Sequence, residues 1–391
     1  MGCIISRSGQ QSAAAAAVLD DDDLLSEILL RLPPQPSSLP RASLVCKRWR
    51  SLISDPGFSR RFRHHHRRNP PLLGCFVNKI GGIAFLPAME APNRVPPGRF
   101  SLHDNRSELL GCCHGLVLFL DASRNQVRVC DPVTADLHCI AVPMGFDKGL
   151  IHSTVLRAGD IQHFQVDNND KQHRRVLTCV YSSETGVWGD LVSMPIPSDT
   201  PTNSPHMTIV WGKRARMVGN SLCWSLPFVG FVEFDLERQN LNIIHVPLDL
   251  YAEGRHWYIM LMRAEGGGLG LLFLSDFTAQ LWKRTTDGDG VNSWVLGRTI
   301  ELDKLLPLEL KEKRALPWLL GLADENNVVF LRSNIGSLFM IHLESFQFKK
   351  LSRHNDNTIL FCHPFECVYA SGNSMPLHIS NGIIYTFTLL V

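Results

Sequence analysis

Residues 19 to 62 read LDDDDLLSEILLRLPPQPSSLPRASLVCKRWRSLISDPGFSRRF. Leu24, Leu25, Ile28, Leu29 and Leu32 recur at helical spacing and form one apolar stripe. Asp20 to Asp23 precede it, where a carboxylate caps free backbone amides and meets the positive end of the helix dipole. Pro33, Pro34 and Pro36 end the helix, because proline lacks an amide donor and clashes with the preceding turn. Ser37 or Ser38 can cap a second helix that tolerates Pro40 in its first turn. In that helix Leu44, Val45, Cys46, Trp49, Leu52 and Ile53 form the apolar side, and Arg41, Lys47, Arg48 and Arg50 the wet side. Asp55-Pro56-Gly57-Phe58 reads as a break leading into a basic third helix.

A piece of roughly 45 residues hides little apolar surface by itself. Its leftover apolar side chains mark either a docking site or a subdomain packed on the rest of the chain. The order Leu-Leu-x-Glu-Ile-Leu-x-Arg-Leu-Pro, followed by Arg-Ala-Ser-x-Val-Cys-Lys-x-Trp-Arg-x-Leu-Ile-x-x-Pro-x-Phe, resembles the plant form of the F-box, the adaptor-docking module of cullin-type ubiquitin ligases. The chain departs from that pattern at its start, where the usual Leu-Pro is replaced by Leu19 and four aspartates.

The remaining composition is that of a globular protein of 391 residues, 45% hydrophobic and 19% charged, with a formal net charge of +2. The eleven cysteines are scattered without paired metal spacing, which favours free, mostly buried thiols in a reducing compartment, the cytosol or nucleus. No apolar run is long enough to span a membrane, and the N-terminus lacks a secretory pattern.

From about Gly74 the long helical stripes give way to short apolar runs bounded by Gly, Pro, Asn and Asp, the mark of an all-β region. Examples are Leu116 to Leu120, Val176 to Tyr181, Phe231 to Phe234 and Val328 to Leu331. Seven of the eight tryptophans fall here and are expected to plug a sheet-on-sheet core. Four turns align: 131–137 (DPVTADL), 182–188 (SSETGVW), 235–241 (DLERQNL) and 342–348 (HLESFQF). They start about 51, 53 and 107 residues apart, and a longer turn at Asp287-Gly288-Asp289-Gly290 fills the gap. A period near 50 suits a four-stranded propeller blade, giving about six units, or seven if some are short. The alternative is a β-sandwich with coincidental spacing. Gly111 to Leu118, Val180 to Trp188, Val218 to Trp224 with Glu233 to Leu236, and Leu281 to Arg284 resemble the plant F-box-associated β-propeller.

Chemistry-bearing motifs are few. Gly-x-Ser-x-Gly, P-loop and His-Glu-x-x-His patterns do not occur. Ser182 to Trp188, Asp287 to Gly290 and Gly266 to Gly268 read as turns. Cys112-Cys113-His114 and Cys362-His363 with Cys367 read as core residues, not zinc ligands. The run Arg60 to Arg68 reads as a solvated helix end, with nucleic acid not expected as a partner. Met1-Gly2-Cys3-Ile4-Ile5-Ser6 fits N-myristoylation at Gly2, with Cys3 as a palmitoyl site; two chains would hold the protein on a membrane.

The fold expected is therefore α+β multidomain: a leader at 1–18, a three-helix module at 19–66, a linker at 67–74 and a β-propeller at 75–391. The resemblance implies a non-catalytic substrate receptor of a Skp-cullin-F-box ubiquitin ligase. It would bind a Skp-type adaptor, and through it a cullin, with Leu24, Leu25, Ile28, Leu29, Leu32, Leu44, Val45, Cys46, Trp49, Leu52 and Ile53. The propeller would recruit an unknown target protein, and no cofactor is implied. An enzymatic or glycan-binding propeller, and an adaptor protein acting outside a ligase, are the competing readings.

Overall fold

The computed structural model describes residues 21–79, 82–100, 107–143, 150–157, 175–183, 185–195, 215–226, 230–247, 259–275, 277–308, 316–353, 359, 361–369 and 383–390. The helical module holds α1 (Asp22–Leu30), α2 (Ser38–Ser43), α3 (Lys47–Ser54) and α4 (Pro56–His65). The second expected helix is thus two. Ser43 Oγ donates back to Pro40 O at 2.6 Å, and Leu44 N and Val45 N bond three residues back, tightening and ending the turn. Cys46 is then fully extended, with φ −160° and ψ 172°.

Six antiparallel sheets follow as the blades of a β-propeller. Blade A begins with β1 (Leu72–Lys79) and β2 (Gly82–Pro87). Blade B is β3 (Ser107–Cys113), β4 (Leu116–Asp121), β5 (Gln126–Asp131) and β6 (Asp136–Ala141). Blade C contains β7 (Leu150–Arg157), β8 (Arg175–Ser182), β9 (Val187–Trp188) and β10 (Val192–Pro195). Blade D is β11 (Arg216–Val218), β12 (Ser221–Leu226), β13 (Gly230–Asp235) and β14 (Asn240–His245). Blade E is β15 (Ile259–Arg263), β16 (Leu269–Ser275), β17 (Thr278–Thr286) and β18 (Asn292–Glu301), with a short α5 (Leu302–Leu305) behind it. Blade F is β19 (Trp318–Ala323), β20 (Val328–Arg332), β21 (Ser337–His342) and β22 (Phe348–Arg353).

The ring is closed by a late strand. β23 (Cys362–Glu366) pairs with β1 as the innermost strand of blade A, Cys75 opposite Pro364, and packs on β3 and β19 of the neighbouring blades. β24 (Ile383–Leu390) lies between β7 and β8, in the second-strand position of blade C. Blades A and C are therefore each built from two distant stretches of chain.

The aligned turns are the third-to-fourth-strand turns of blades B, C, D and F. In each, the first residue's side chain accepts a backbone N–H: Asp131 from Val133 at 2.8 Å, Ser182 from Thr185 at 3.4 Å, Asp235 from Glu237 at 2.9 Å and His342 Nδ1 from Ser345 at 3.1 Å. The fifth residue is left-handed, with φ of 66° at Ala135, 70° at Gly186, 51° at Gln239 and 57° at Phe346. A side-chain acceptor followed by one left-handed residue is what makes such different sequences equivalent. Asp287 plays the same part in blade E, accepting from Asp289 N and Val291 N.

Among the described residues the largest fully buried side chains are phenylalanines, not tryptophans; Trp211 and Trp257 lie outside the described residues. Phe76, Phe85, Phe100 and Phe365 pack with centroids 5.0 to 6.3 Å apart between blades A and B. Trp224 is buried, but Trp188, Trp282, Trp294 and Trp318 are half-buried. Trp188 Nε1 donates to Ala141 O and Trp294 Nε1 to His245 O, each on the outer strand of the preceding blade. An indole N–H needs an acceptor, and the seam between blades offers one that the core does not.

Candidate docking interface

Asp21 caps α1: its Oδ1 accepts from Asp23 N at 2.8 Å and Leu24 N at 3.2 Å. The aspartate run therefore starts the helix without the missing Leu-Pro. Leu25, Ser26, Leu29 and Leu30 face inward, where they meet Leu39, Ala42, Ile53, Phe58 and Phe62. Asp55 caps α4 by accepting from Phe58 N at 2.6 Å, with Pro56 in the first turn. His66 Nε2 lies 2.8 Å from Leu30 O, and Arg61 Nη2 donates to Ser26 Oγ at 2.8 Å. These contacts hold α4 across α1.

The expected docking residues divide into two groups. Leu25, Leu29 and Ile53 are buried, and Leu32, Trp49 and Leu52 are half-buried against the same core. Leu24, Ile28, Leu44 and Val45 are 47%, 40%, 74% and 62% exposed, and Cys46 is exposed beside them in sequence. Arg48 Nε donates to Asp22 Oδ1 at 2.7 Å. It ties the start of α3 to the start of α1, so the 44–46 corner and Leu24 lie at the same end of the module. Asp22 and Asp23 at the start of α1 and Lys47 at the start of α3 are exposed as well. Gly2 and Cys3 lie outside the described residues.

The module is not isolated. Val368, just beyond β23, is buried in its core. Ser37 Oγ donates to Asn93 Oδ1 at 2.6 Å, and Asn93 Nδ2 donates to Gln35 Oε1 at 2.9 Å. Arg63 Nη1 lies 3.5 Å from Asp131 Oδ2, with both side chains largely buried. Burial pushes the Asp131 carboxyl up, while Arg63 and the Val133 and Thr134 amides oppose that shift. No sequence signal linked Asn93, Asp131 or Val368 to the helices, because each lies far along the chain.

Several titratable side chains of the propeller are buried. Cys112, Cys113, Cys362 and His363 are buried, and Cys367 is half-buried. Burial pushes the thiols of Cys179, Cys223 and Cys367 up to about 12, and that of Cys130 to about 11, so they stay protonated near neutral pH. Among the described residues, no group of three or more His, Cys, Asp or Glu could hold a metal ion. A cavity near the axis, lined by Arg216, Ser225, Met260, Gly321 and His363, measures about 30 Å³, room for one or two waters and far below ligand size. Arg216 crosses it to Leu322 O and Asp324.

A helical module with an exposed apolar end, seated on a six-bladed propeller, defines the class: an F-box protein with a C-terminal propeller. The chain belongs to the family described as F-box protein AT5G49610-like, beta-propeller, which matches residues 108–371, and the F-box domain family matches residues 21–61. It is 24% identical over 258 residues to F-box/LRR-repeat protein At2g43260 of Arabidopsis thaliana, covering 57% of this chain and 54% of that protein. It is 26% identical over 180 residues to putative F-box protein At1g47300 of the same plant, covering 41% of this chain and 54% of that protein. The chain thus matches about half the length of these relatives. Among solved structures, apo AztD from Citrobacter koseri is similar at 9% identity and a TM-score of 0.31, over 74% of this chain and 88% of that one. No helix among the described residues is long and apolar enough to cross a membrane.

Proposed function

We propose that this chain is the substrate-recognition subunit of a Skp-cullin-F-box ubiquitin ligase. The observation that carries the reading is the exposed end formed by Leu24, Ile28, Leu44 and Val45 on an otherwise closed helical core. An apolar surface of this kind is stable in water only at a cost that a partner removes. A Skp-type adaptor is the partner that an F-box calls for, and a cullin joins through it. The helices occupy one face of the propeller, so the target protein binds on the opposite face, which carries the second-to-third-strand turns at 122–125 and 333–336. The chain supplies no reacting group; its part is to hold a target lysine near a charged ubiquitin carrier.

Titration of the purified full chain with a Skp-type adaptor tests this. Saturable binding that Leu44→Asp with Val45→Asp abolishes, while the melting temperature holds, supports the reading; an unaffected affinity, or no binding by the wild type, refutes it. The cytosol and nucleus are the proposed compartments. Acylation at Gly2 and Cys3 is a separate proposal, tested by fusing residues 1–12 to a soluble reporter in cells. A reporter that stays soluble whether or not Gly2→Ala is present refutes it.

A further inference from the structure

We infer that the F-box and the propeller form one rigid body, with Arg63 and Asp131 as the positioning residues that set the angle between them. The inference is independent of which adaptor the F-box binds. Contacts come from three sides. Arg63, on α4, reaches Asp131 in the third-to-fourth-strand turn of blade B. Asn326, in the first turn of blade F, donates its Nδ2 to Pro70 O at 3.0 Å and to Glu366 Oε1 at 2.9 Å, and Glu366 is itself buried in β23. Cys367 N donates to Pro71 O at 3.1 Å, and the next residue, Val368, enters the F-box core. Ser37 and Asn93 hold the far end of α2. The linker from the helices to β1 is therefore fastened on both sides, leaving no free hinge.

Arg63 is the telling member. Its Nε and Nη2 are buried without a hydrogen-bond partner among the described residues, where Asp131 is the carboxylate that meets its charge. A buried pair satisfied at one point adds little net stability, since desolvation of the ions offsets their attraction. What it does contribute is direction: any rotation of α4 away from blade B leaves two buried charges unpaired. Asp131 is also held in place by its own turn, accepting from Val133 N and Thr134 N. A fixed acceptor facing a buried guanidinium suits a register device.

The test is a distance distribution in the full chain, read by double electron–electron resonance between spin-labelled unnatural amino acids at the exposed Ser51 and Asp289. The wild type should give one narrow distance. Arg63→Met, and Asp131→Asn, which keeps the turn acceptor, should each broaden or split it, and each should also lower the thermal melt because it leaves the partner's buried charge uncompensated. A broad wild-type distribution, or a narrow one in both variants, overturns the inference. Should Arg63→Met fail to fold, Asn326→Ser, which lies outside the helical core, must broaden the same distribution; a narrow one again overturns it.

Discussion

Val368 and Leu29 lie in one buried apolar cluster, although some 340 residues of chain separate them. Leu29 belongs to the first helix of the F-box, and Val368 follows the strand that closes the propeller ring. The core of the helical module is thus completed by the far end of the chain.

This arrangement separates two kinds of apolar residue that look alike in sequence. Leu29→Ala should cost roughly 2–5 kcal/mol of stability, as deletion of buried methyl groups does. Val45→Ala, at an exposed position, should change stability by under about 0.5 kcal/mol and weaken adaptor binding instead. Denaturant unfolding and adaptor titration on the same preparations check both.

Asp21→Ala removes the acceptor for Asp23 N and Leu24 N. The expected loss is about 1 kcal/mol, typical of an N-cap, and Asp21→Asn should recover most of it. Hydrogen exchange in the first turn of α1 would rise before global unfolding does.

His66 gives the F-box an acid sensitivity. Burial holds its imidazole below the ordinary histidine value of 6.5, with like charge on His65 adding to the effect and the carbonyl of Leu30 opposing it. The fold prefers the neutral ring, so below the ordinary value the unfolded chain binds more protons than the folded one. The contribution is complete above about pH 6.5 and is lost as the pH falls from there towards the lowered folded value. Melting temperatures between pH 8 and 5 should fall less steeply in His66→Gln than in the wild type.

Gly321 lies at the closure of the ring. A Cβ there would fall on Cys362 O and 3.0 Å from Cys362 Sγ, at the contact between β19 and β23. Gly321→Ala should cost about 1–3 kcal/mol, the usual effect of overpacking. Gly266→Ala, where the space is open but φ is +83°, should cost less and leave the ring closed. Thermal unfolding compares them, and limited proteolysis near residues 367–369 reports the closure itself.

Much of this architecture was legible in the sequence because its signals are local. The proline break at 33–36 ends α1, and the aspartates start it. The blade repeat is visible through four turns because a side-chain acceptor and a left-handed residue four positions later must recur wherever the third strand meets the fourth. The splitting of the second helix was not legible, since Ala42, Trp49 and Ile53 keep helical spacing in the sequence across the break. The break rests on Ser43 turning its hydroxyl back to Pro40 and on Cys46 being extended. The tryptophans misled for a related reason: size argues for the core, but the indole N–H of Trp188 or Trp294 finds its acceptor only at a seam between blades.

Sequence alone pointed to a helical module over residues 19–66 resembling an F-box, and to a following region built of blades about 50 residues apart, because periodicity and turn chemistry act over a few residues. Only the tertiary structure decided which half of the Leu24–Ile53 set is core and which is surface, that β23 and β24 return to blades A and C, and that Asp131, Asn326 and Val368 seat the F-box on the propeller. Those outcomes depend on which side chains meet across hundreds of residues, and a burial shared between distant segments leaves no pattern in either one.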